Sequence, residues 1–331
     1  MYPAARAARD RFILDRRSAR PPHDPWRYQD LVVEEELTGR GTVAPTATVF
    51  LTGKECAWRC VMCDLWRYAT QEDTPQGAIP AQIVAARSAL RLRGKAVTRL
   101  KLYNASNFFD AHAVPDEDYQ AIAAALTGLD QVVVESHPAL IGPRVDRFLE
   151  ALREHDVERA TTLEVAMGLE TANPDTLERL NKGLTCEQFS EAAEALRTRN
   201  VGLRVFMLIS PPFIAPGQQD RWLLASLDHA TACDASVVSL IPTRHGNGAM
   251  ETLEDAGLFR PPDLAGIERS MELALAHTQR ARIFVDLWDL QHFSSCAHCF
   301  GARKARLQSM NLEQRVPVPI ACAHCGHGLT A

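Results

Sequence analysis

Long apolar runs are missing from this 331-residue chain. No window approaches the roughly 18 consecutive apolar residues that a membrane helix needs, which excludes a helical span and a membrane partner. An apolar leader is missing as well. The opening residues, Met-Tyr-Pro-Ala-Ala-Arg-Ala-Ala-Arg-Asp, carry charge where a signal peptide needs a hydrophobic stretch, so the cytoplasm is the expected compartment. Positive charge is not in excess: 36 Lys+Arg stand against 41 Asp+Glu, and the chain as a whole lacks the basic footprint of a nucleic-acid-binding protein. There is no repeat of fixed period and no low-complexity tract, which excludes a solenoid. What the chain does hold is cysteine. A disulfide framework is not expected for nine cysteines in a reducing compartment. Seven of them fall in two clusters, and the function is to be sought there.

Residues 1–44 read as a polar extension in which Pro21, Pro22 and Pro25 break any helix. Its first 27 residues hold seven Arg against three Asp, a local basic bias. From residue 46 onward, β-rich runs at 46–52, 97–103, 131–136, 163–168, 201–209 and 236–241 alternate with helix-period stretches at 79–92, 116–126, 143–154, 186–198 and 218–232. This alternation predicts βαβ units and a parallel sheet. Six such units amount to most of an α/β barrel, but a doubly wound sheet shares the pattern, and periodicity leaves the closure open. After residue 241 a glycine-rich loop, His245-Gly246-Asn247-Gly248, precedes an amphipathic helix near 263–279 and a last β-rich run at 282–290. The expected organisation is an N-terminal extension over 1–44, a core over 45–280 and a metal-binding segment over 281–331.

The first cluster, Cys56-Ala57-Trp58-Arg59-Cys60-Val61-Met62-Cys63, has C-x3-C-x2-C spacing and follows the first core strand directly. In a parallel α/β protein the C-terminal ends of the strands carry the active site, so the loop lies where chemistry is expected. Three thiolates ligate three irons of a cubane, and with no fourth cysteine nearby one iron is left for an exogenous ligand. The competing readings are a zinc site completed by a distant fourth ligand and three inert thiols.

These residues resemble the signature of the radical S-adenosylmethionine (radical SAM) superfamily. Most members place an aromatic residue before the last cysteine; Met62 stands there, as in a smaller group. Arg59-Cys60-Val61-Met62-Cys63-Asp64-Leu65-Trp66 resembles the branch that contains the radical SAM component of archaeosine synthase and its bacterial relatives, near the elongator-type and methylthiotransferase-like enzymes. The likeness continues in Leu102–Asp110, Val134–Pro138, Gly168–Thr171, Pro211–Phe213, Ile241–Thr243 and Phe259–Pro262. It implies an α/β fold built as a partial (β/α)6 TIM-like barrel, the radical SAM core, with a short N-terminal extension and a C-terminal four-cysteine metal-binding tail. It also implies a [4Fe–4S] cluster on Cys56, Cys60 and Cys63, with SAM on the open iron and a reducing electron donor. Reductive cleavage of SAM would release a 5′-deoxyadenosyl radical for hydrogen abstraction.

For the SAM contacts the resemblance points to Asn104 and Ser106 after the second core strand, although the charged residue usual there is absent and an Asx or Ser turn reads equally well. Glu135 ends the third core strand, and a carboxylate in that apolar run needs a partner or a ligand. Glu170, in Gly-Leu-Glu-Thr, matches a polar SAM contact; the alternative is a solvated acid before Asn173-Pro174. Arg204 has the right guanidinium for the SAM carboxylate, against the competing reading of a salt bridge. Relatives often carry Arg where this chain has His137.

The second cluster pairs Cys296-Ala297-His298-Cys299 with Cys322-Ala323-His324-Cys325-Gly326. Two C-x2-C knuckles, the second followed by glycine, favour a structural zinc, with an auxiliary [4Fe–4S] cluster as the alternative. His292, His298, His324 and His327 read as solvated, Cys186 and Cys233 as buried inert thiols, and Phe108-Phe109 as core.

Two substrate classes fit an enzyme of this kind. Resemblance favours a tRNA base, recognised directly or through a partner tRNA-modifying protein, with the Arg-rich N-terminus and Arg303, Lys304, Arg306 and Arg315 as local basic patches. The overall acidity favours a small-molecule biosynthetic substrate. A non-catalytic zinc-binding RNA-interaction protein accounts for the tail but leaves Cys56, Cys60 and Cys63 without purpose.

Overall fold

The computed structural model describes residues 1–104, 106–156 and 161–328, with Asn104 described for its backbone alone. Eight strands form one sheet in sequential order: β1 (Asp30–Leu37), β2 (Val43–Leu51), β3 (Arg99–Asn104), β4 (Gln131–Glu135), β5 (Thr162–Glu170), β6 (Gly202–Ile209), β7 (Val237–Pro242) and β8 (Arg282–Val285). β1 runs antiparallel to β2, and every later neighbour is parallel. The parallel strands are the expected ones. β1 is not: it lies inside the stretch read as a polar extension.

The open question of closure is answered across the interior. Glu36 on β1 accepts a hydrogen bond from Arg204 on β6 (2.7 Å) and pairs with Lys101 on β3. Residues so far apart in sheet order meet only if the sheet curls into a barrel. The seam between β8 and β1 is bridged by side chains, with Arg282 donating to the Leu37 carbonyl (2.7 Å) and Trp288 Nε1 to Glu34 (3.0 Å). Helix α10 (Ala297–Glu313) packs against both edges.

The lower lumen is therefore charged. Arg204 is 2% exposed and also bonds Glu164 at 2.6 Å. Burial works to raise the Glu36 pKa, yet Arg204, Lys101 and Arg99 hold its carboxyl well below the usual range. This lining explains why β1, Asp-Leu-Val-Val-Glu-Glu-Glu-Leu, is hard to recognise as a strand: its inward position near the end is a glutamate.

The apolar core lies between the sheet and the outer helices. On α2 (Ala78–Leu92), Ile79, Ile83, Ala86 and Leu90 recur at helical spacing and are buried. Each large side chain so placed stabilises the fold by about 1.5–3 kcal/mol. Helices α3 (Tyr119–Leu126), α4 (Pro143–His155), α5 (Pro174–Arg179), α6 (Cys186–Arg197) and α7 (Gln219–Ala232) complete the layer, with α8 (Ala249–Asp255) and α9 (Leu264–His277) beyond β7. Phe108 and Phe109 are core, as expected, packed with Tyr119 and Phe148. Cys186 and Cys233 are half-buried rather than buried. Helix α1 (Arg6–Leu14) forms where prolines argued against one, because it ends before the first of them. No described helix is long and apolar enough to cross a membrane.

Candidate active site and metal centre

The loop after β2 carries Cys56, Cys60 and Cys63 at the C-terminal end of the parallel strands and is pinned from three sides. Asn107 Nδ2 lies 3.3 Å from Cys56 Sγ. The Val61 amide donates to the Leu180 carbonyl (2.9 Å), and Asn181 Nδ2 donates to the Arg59 carbonyl (2.8 Å). From the far side, Asn247 Nδ2 donates to the Val61 carbonyl (2.6 Å). Asn247 lies in the glycine-rich loop after β7, so that loop braces the site.

Burial pushes the Cys60 thiol up to about 12 and raises Cys56 and Cys63 as well. Three thiols held protonated by burial suit a group that supplies positive charge, since metal ligation deprotonates them outright. Among the described residues, the C-terminal four thiols are the one group of three or more ligand atoms drawn close enough to share a single ion. The cysteine-loop thiols are not so gathered.

Around the loop stand the residues singled out in the sequence. Ser106 Oγ is buried and has no hydrogen-bond partner, so it is free for a ligand. Asn104 ends β3, and its side chain lies outside what is described. Glu135 ends β4, half-buried. Glu170 ends β5 with φ of 65°, buried rather than solvated. Its Oε1 accepts from Lys182 Nζ at 2.6 Å. Burial opposes the Lys182 charge, but Glu170 and the Cys60 and Cys56 thiols outweigh it and the pKa is raised. Gly168 makes this pair possible, since a Cβ there would overlap both Glu170 Oε1 and Lys182 Nζ. Arg204 stands apart, in the lower lumen with Glu36 and Glu164 rather than against the cysteine loop.

His137 stacks on Trp58 with ring centroids 3.8 Å apart. It donates from Nε2 to the Lys182 carbonyl (3.1 Å) and accepts the Ala139 amide at Nδ1 (3.1 Å), the pattern of a neutral ring. Burial, and then the Lys182 charge, lower its pKa to about 3. Lys182, Asn181 and Asn247 are the residues that sequence reasoning missed, and Asn107, within the stretch read for SAM contacts, bonds Cys56 instead. The available signal for Lys182 was its place in Asn-Lys-Gly just beyond α5, which returns the chain to the site.

At the C-terminus, the ligand atoms of Cys296, Cys299, Cys322 and Cys325 lie within 4.8 Å of one another, and the Cys299 and Cys325 sulfurs are 3.8 Å apart. A tetrahedron with metal–sulfur bonds of about 2.3 Å has edges of about 3.8 Å. The backbone amides of Cys299 and His298 lower the Cys296 pKa and those of Cys325 and His324 lower Cys322, whereas burial and the neighbouring thiols raise Cys299. Nearby, Arg303 and Arg306 are buried on Glu268 and Glu272. Arg315 pairs with Glu313. The basic patch expected between the knuckles therefore reduces to the exposed Lys304 and Arg315. Of the histidines, His292, His298 and His324 are exposed, and His327 pairs with Glu268 (3.3 Å).

No family model matches the chain. It is 25% identical over 92% of its length to archaeosine synthase subunit beta of Methanosarcina acetivorans, covering 88% of that protein. The subunit beta of Thermococcus kodakarensis is 26% identical over 57% of each chain. An uncharacterized protein of Methanocaldococcus jannaschii is 26% identical over 66% of this chain and 61% of its own, so two of these three relatives are spanned for less than two thirds of their length. Among solved structures, Methanocaldococcus infernus Elp3 with an N-terminal deletion gives a TM-score of 0.49 at 12% identity, over 62% of this chain and 51% of that one. Escherichia coli coproporphyrinogen III oxidase, described as a radical SAM enzyme, gives 0.45 at 15% identity, over 66% and 49%. The nearly closed α/β barrel carries its cysteine loop at the C-terminal ends of the parallel strands. The sequence likeness runs to archaeosine synthase subunit beta.

Proposed function

We propose that the chain is a radical SAM enzyme of the cytoplasm that holds a [4Fe–4S] cluster on Cys56, Cys60 and Cys63. The carrying observation is three half-buried thiols on one loop at the strand ends, with the unpartnered Ser106 hydroxyl and a buried ion pair beside them. When bound, the cluster and SAM supply reductive sulfonium cleavage and a 5′-deoxyadenosyl radical for hydrogen abstraction. This chain's own residues bind and orient. Ser106 Oγ, buried without a partner, would bond a polar group of SAM, and Glu170 and Lys182 would offer opposite charges for its ammonium and carboxylate. Glu135 and Asn104 approach from neighbouring strand ends. Arg204 is left out of the set because Glu36 and Glu164 already satisfy it. Iron and sulfide analysis after anaerobic purification, with a SAM-cleavage assay on the reconstituted protein, tests the reading. A colourless protein carrying only zinc would refute it, as would full SAM cleavage by Cys60→Ala.

The likeness to archaeosine synthase subunit beta supports modification of a tRNA base, with a reducing electron donor and a partner subunit. The buried, paired state of Arg17, Arg20, Arg303 and Arg306 favours the second reading, a small-molecule substrate, or RNA contacts made by that partner. Binding of bulk tRNA across a salt series separates them, because phosphate contacts give a steep loss with salt and their absence a flat response. For the C-terminal thiols the 3.8 Å sulfur spacing supports structural zinc over an auxiliary cluster, whose thiolates would sit farther apart on separate irons.

A further inference from the structure

Part of the Arg-rich N-terminus, which reads as an RNA-facing patch, is turned inward: Arg6, Arg11 and Arg27 are exposed, but Arg17 and Arg20 reach the cysteine loop. Phe12 and Ile13 of α1 share one apolar cluster with Val61, between the second and third cysteines, and with Leu180 and Met250. Beyond α1, Arg17 Nη1 pairs with Glu55 Oε1 (2.6 Å) and Arg20 Nη1 with Glu55 Oε2 (3.0 Å), and Arg59 Nη1, within the loop itself, lies 3.3 Å from Oε1. Arg20 Nη1 also donates to the Trp66 carbonyl (3.0 Å), and the Arg17 guanidinium lies 4.7 Å from the buried Trp66 ring. Glu55 immediately precedes Cys56, and Trp66 follows Cys63 by three residues. Two arginines thus tie the entry of the cysteine loop to its exit. The Glu55 side chain is 14% exposed and those of Arg17 and Arg20 are 10% and 12%. At that burial the pairs are charge-assisted and shielded, unlike surface ion pairs of negligible worth.

We propose that Arg17 and Arg20 are positioning residues for the cluster: by gripping Glu55 and Trp66 they hold the two ends of the loop so that its three thiols stay aimed at one cubane. The inference rests on the radical SAM reading. Outer groups that orient ligands typically account for about 10- to 100-fold in metal affinity.

The test uses the full chain, reconstituted anaerobically with iron and sulfide, with Cys60→Ala as the blank for iron held elsewhere. The double variant Arg17→Gln/Arg20→Gln should lose loop iron to a ferrous chelator roughly 10-fold faster than wild type and show an altered reduced-cluster EPR line shape. Its C-terminal metal should stay at the wild-type level, and its melting temperature should fall only modestly, because Glu55 keeps Arg59 as a partner. Glu55→Gln should move iron loss in the same direction, and Arg17→Lys/Arg20→Lys should recover part of it, since lysine keeps the charge but lacks the fork. Wild-type iron retention and EPR in the double variant would overturn the proposal. So would a parallel loss of C-terminal metal and melting temperature, which would mark a general stabilising role. A wild-type protein that takes up no loop iron is a different failure, that of the cluster reading itself.

Discussion

Lys182 Nζ sits 2.6 Å from Glu170 Oε1 in a buried pair whose charge is felt by the Cys60 and Cys56 thiols. The pair joins the end of β5 to the turn after α5 and faces the cysteine loop. Removing one partner leaves the other charge buried alone. Lys182→Met is therefore expected to destabilise the fold by about 3–5 kcal/mol, whereas Lys182→Met/Glu170→Gln should recover much of that loss. Denaturant unfolding of both variants checks this; equal losses would show that the two side chains are not coupled.

Gly168→Ala tests the same pair by crowding. The added Cβ has no room beside Glu170 and Lys182, so one of them must move. The expected result is about 1–3 kcal/mol of destabilisation with weakened SAM binding. Calorimetric SAM titration and thermal melting read the two effects separately.

His137 predicts an acid limb in the stability curve. Its folded pKa is lowered to about 3, from the ordinary histidine value of 6.5. The unfolded chain therefore binds the extra proton first. Stability is fully present above about pH 6.5 and is lost as the pH falls toward 3. His137→Gln should flatten this limb relative to wild type in urea unfolding measured across that window; an unchanged slope would assign the limb to carboxylates instead.

The C-terminal thiols should act independently of the cysteine loop. Cys322→Ser is expected to release about one zinc per chain while leaving loop iron and its EPR signal intact. Metal analysis and a metallochromic dye during unfolding measure it. Loss of iron in proportion would mean that the site carries iron.

Much of the fold was legible because burial imposes short apolar strands and amphipathic helices at fixed periods. β4 reads as a strand from Val132, Val133 and Val134 alone, and α2 from its four spaced apolar positions. β1 was not legible, because its deciding residue, Glu36, is a carboxylate whose burial is made tolerable by Arg204, Lys101 and Arg99 from strands distant in sequence. The arginines of the N-terminus and of α10 misled for the same reason. Charge in a sequence reads as exposure, and only the partners show otherwise.

By itself the sequence determined the strand–helix alternation, the C-x3-C-x2-C loop and the paired C-x2-C knuckles, since these depend on local spacing. The tertiary structure decided the closure of the barrel, the placement of Arg204 in the lower lumen, the pairing of Glu170 with Lys182 and the inward turn of Arg17 and Arg20. Each of these is a contact between charges that no local spacing brings together, and the free energy of a buried charge depends on which opposite charge the fold brings within about 3 Å of it.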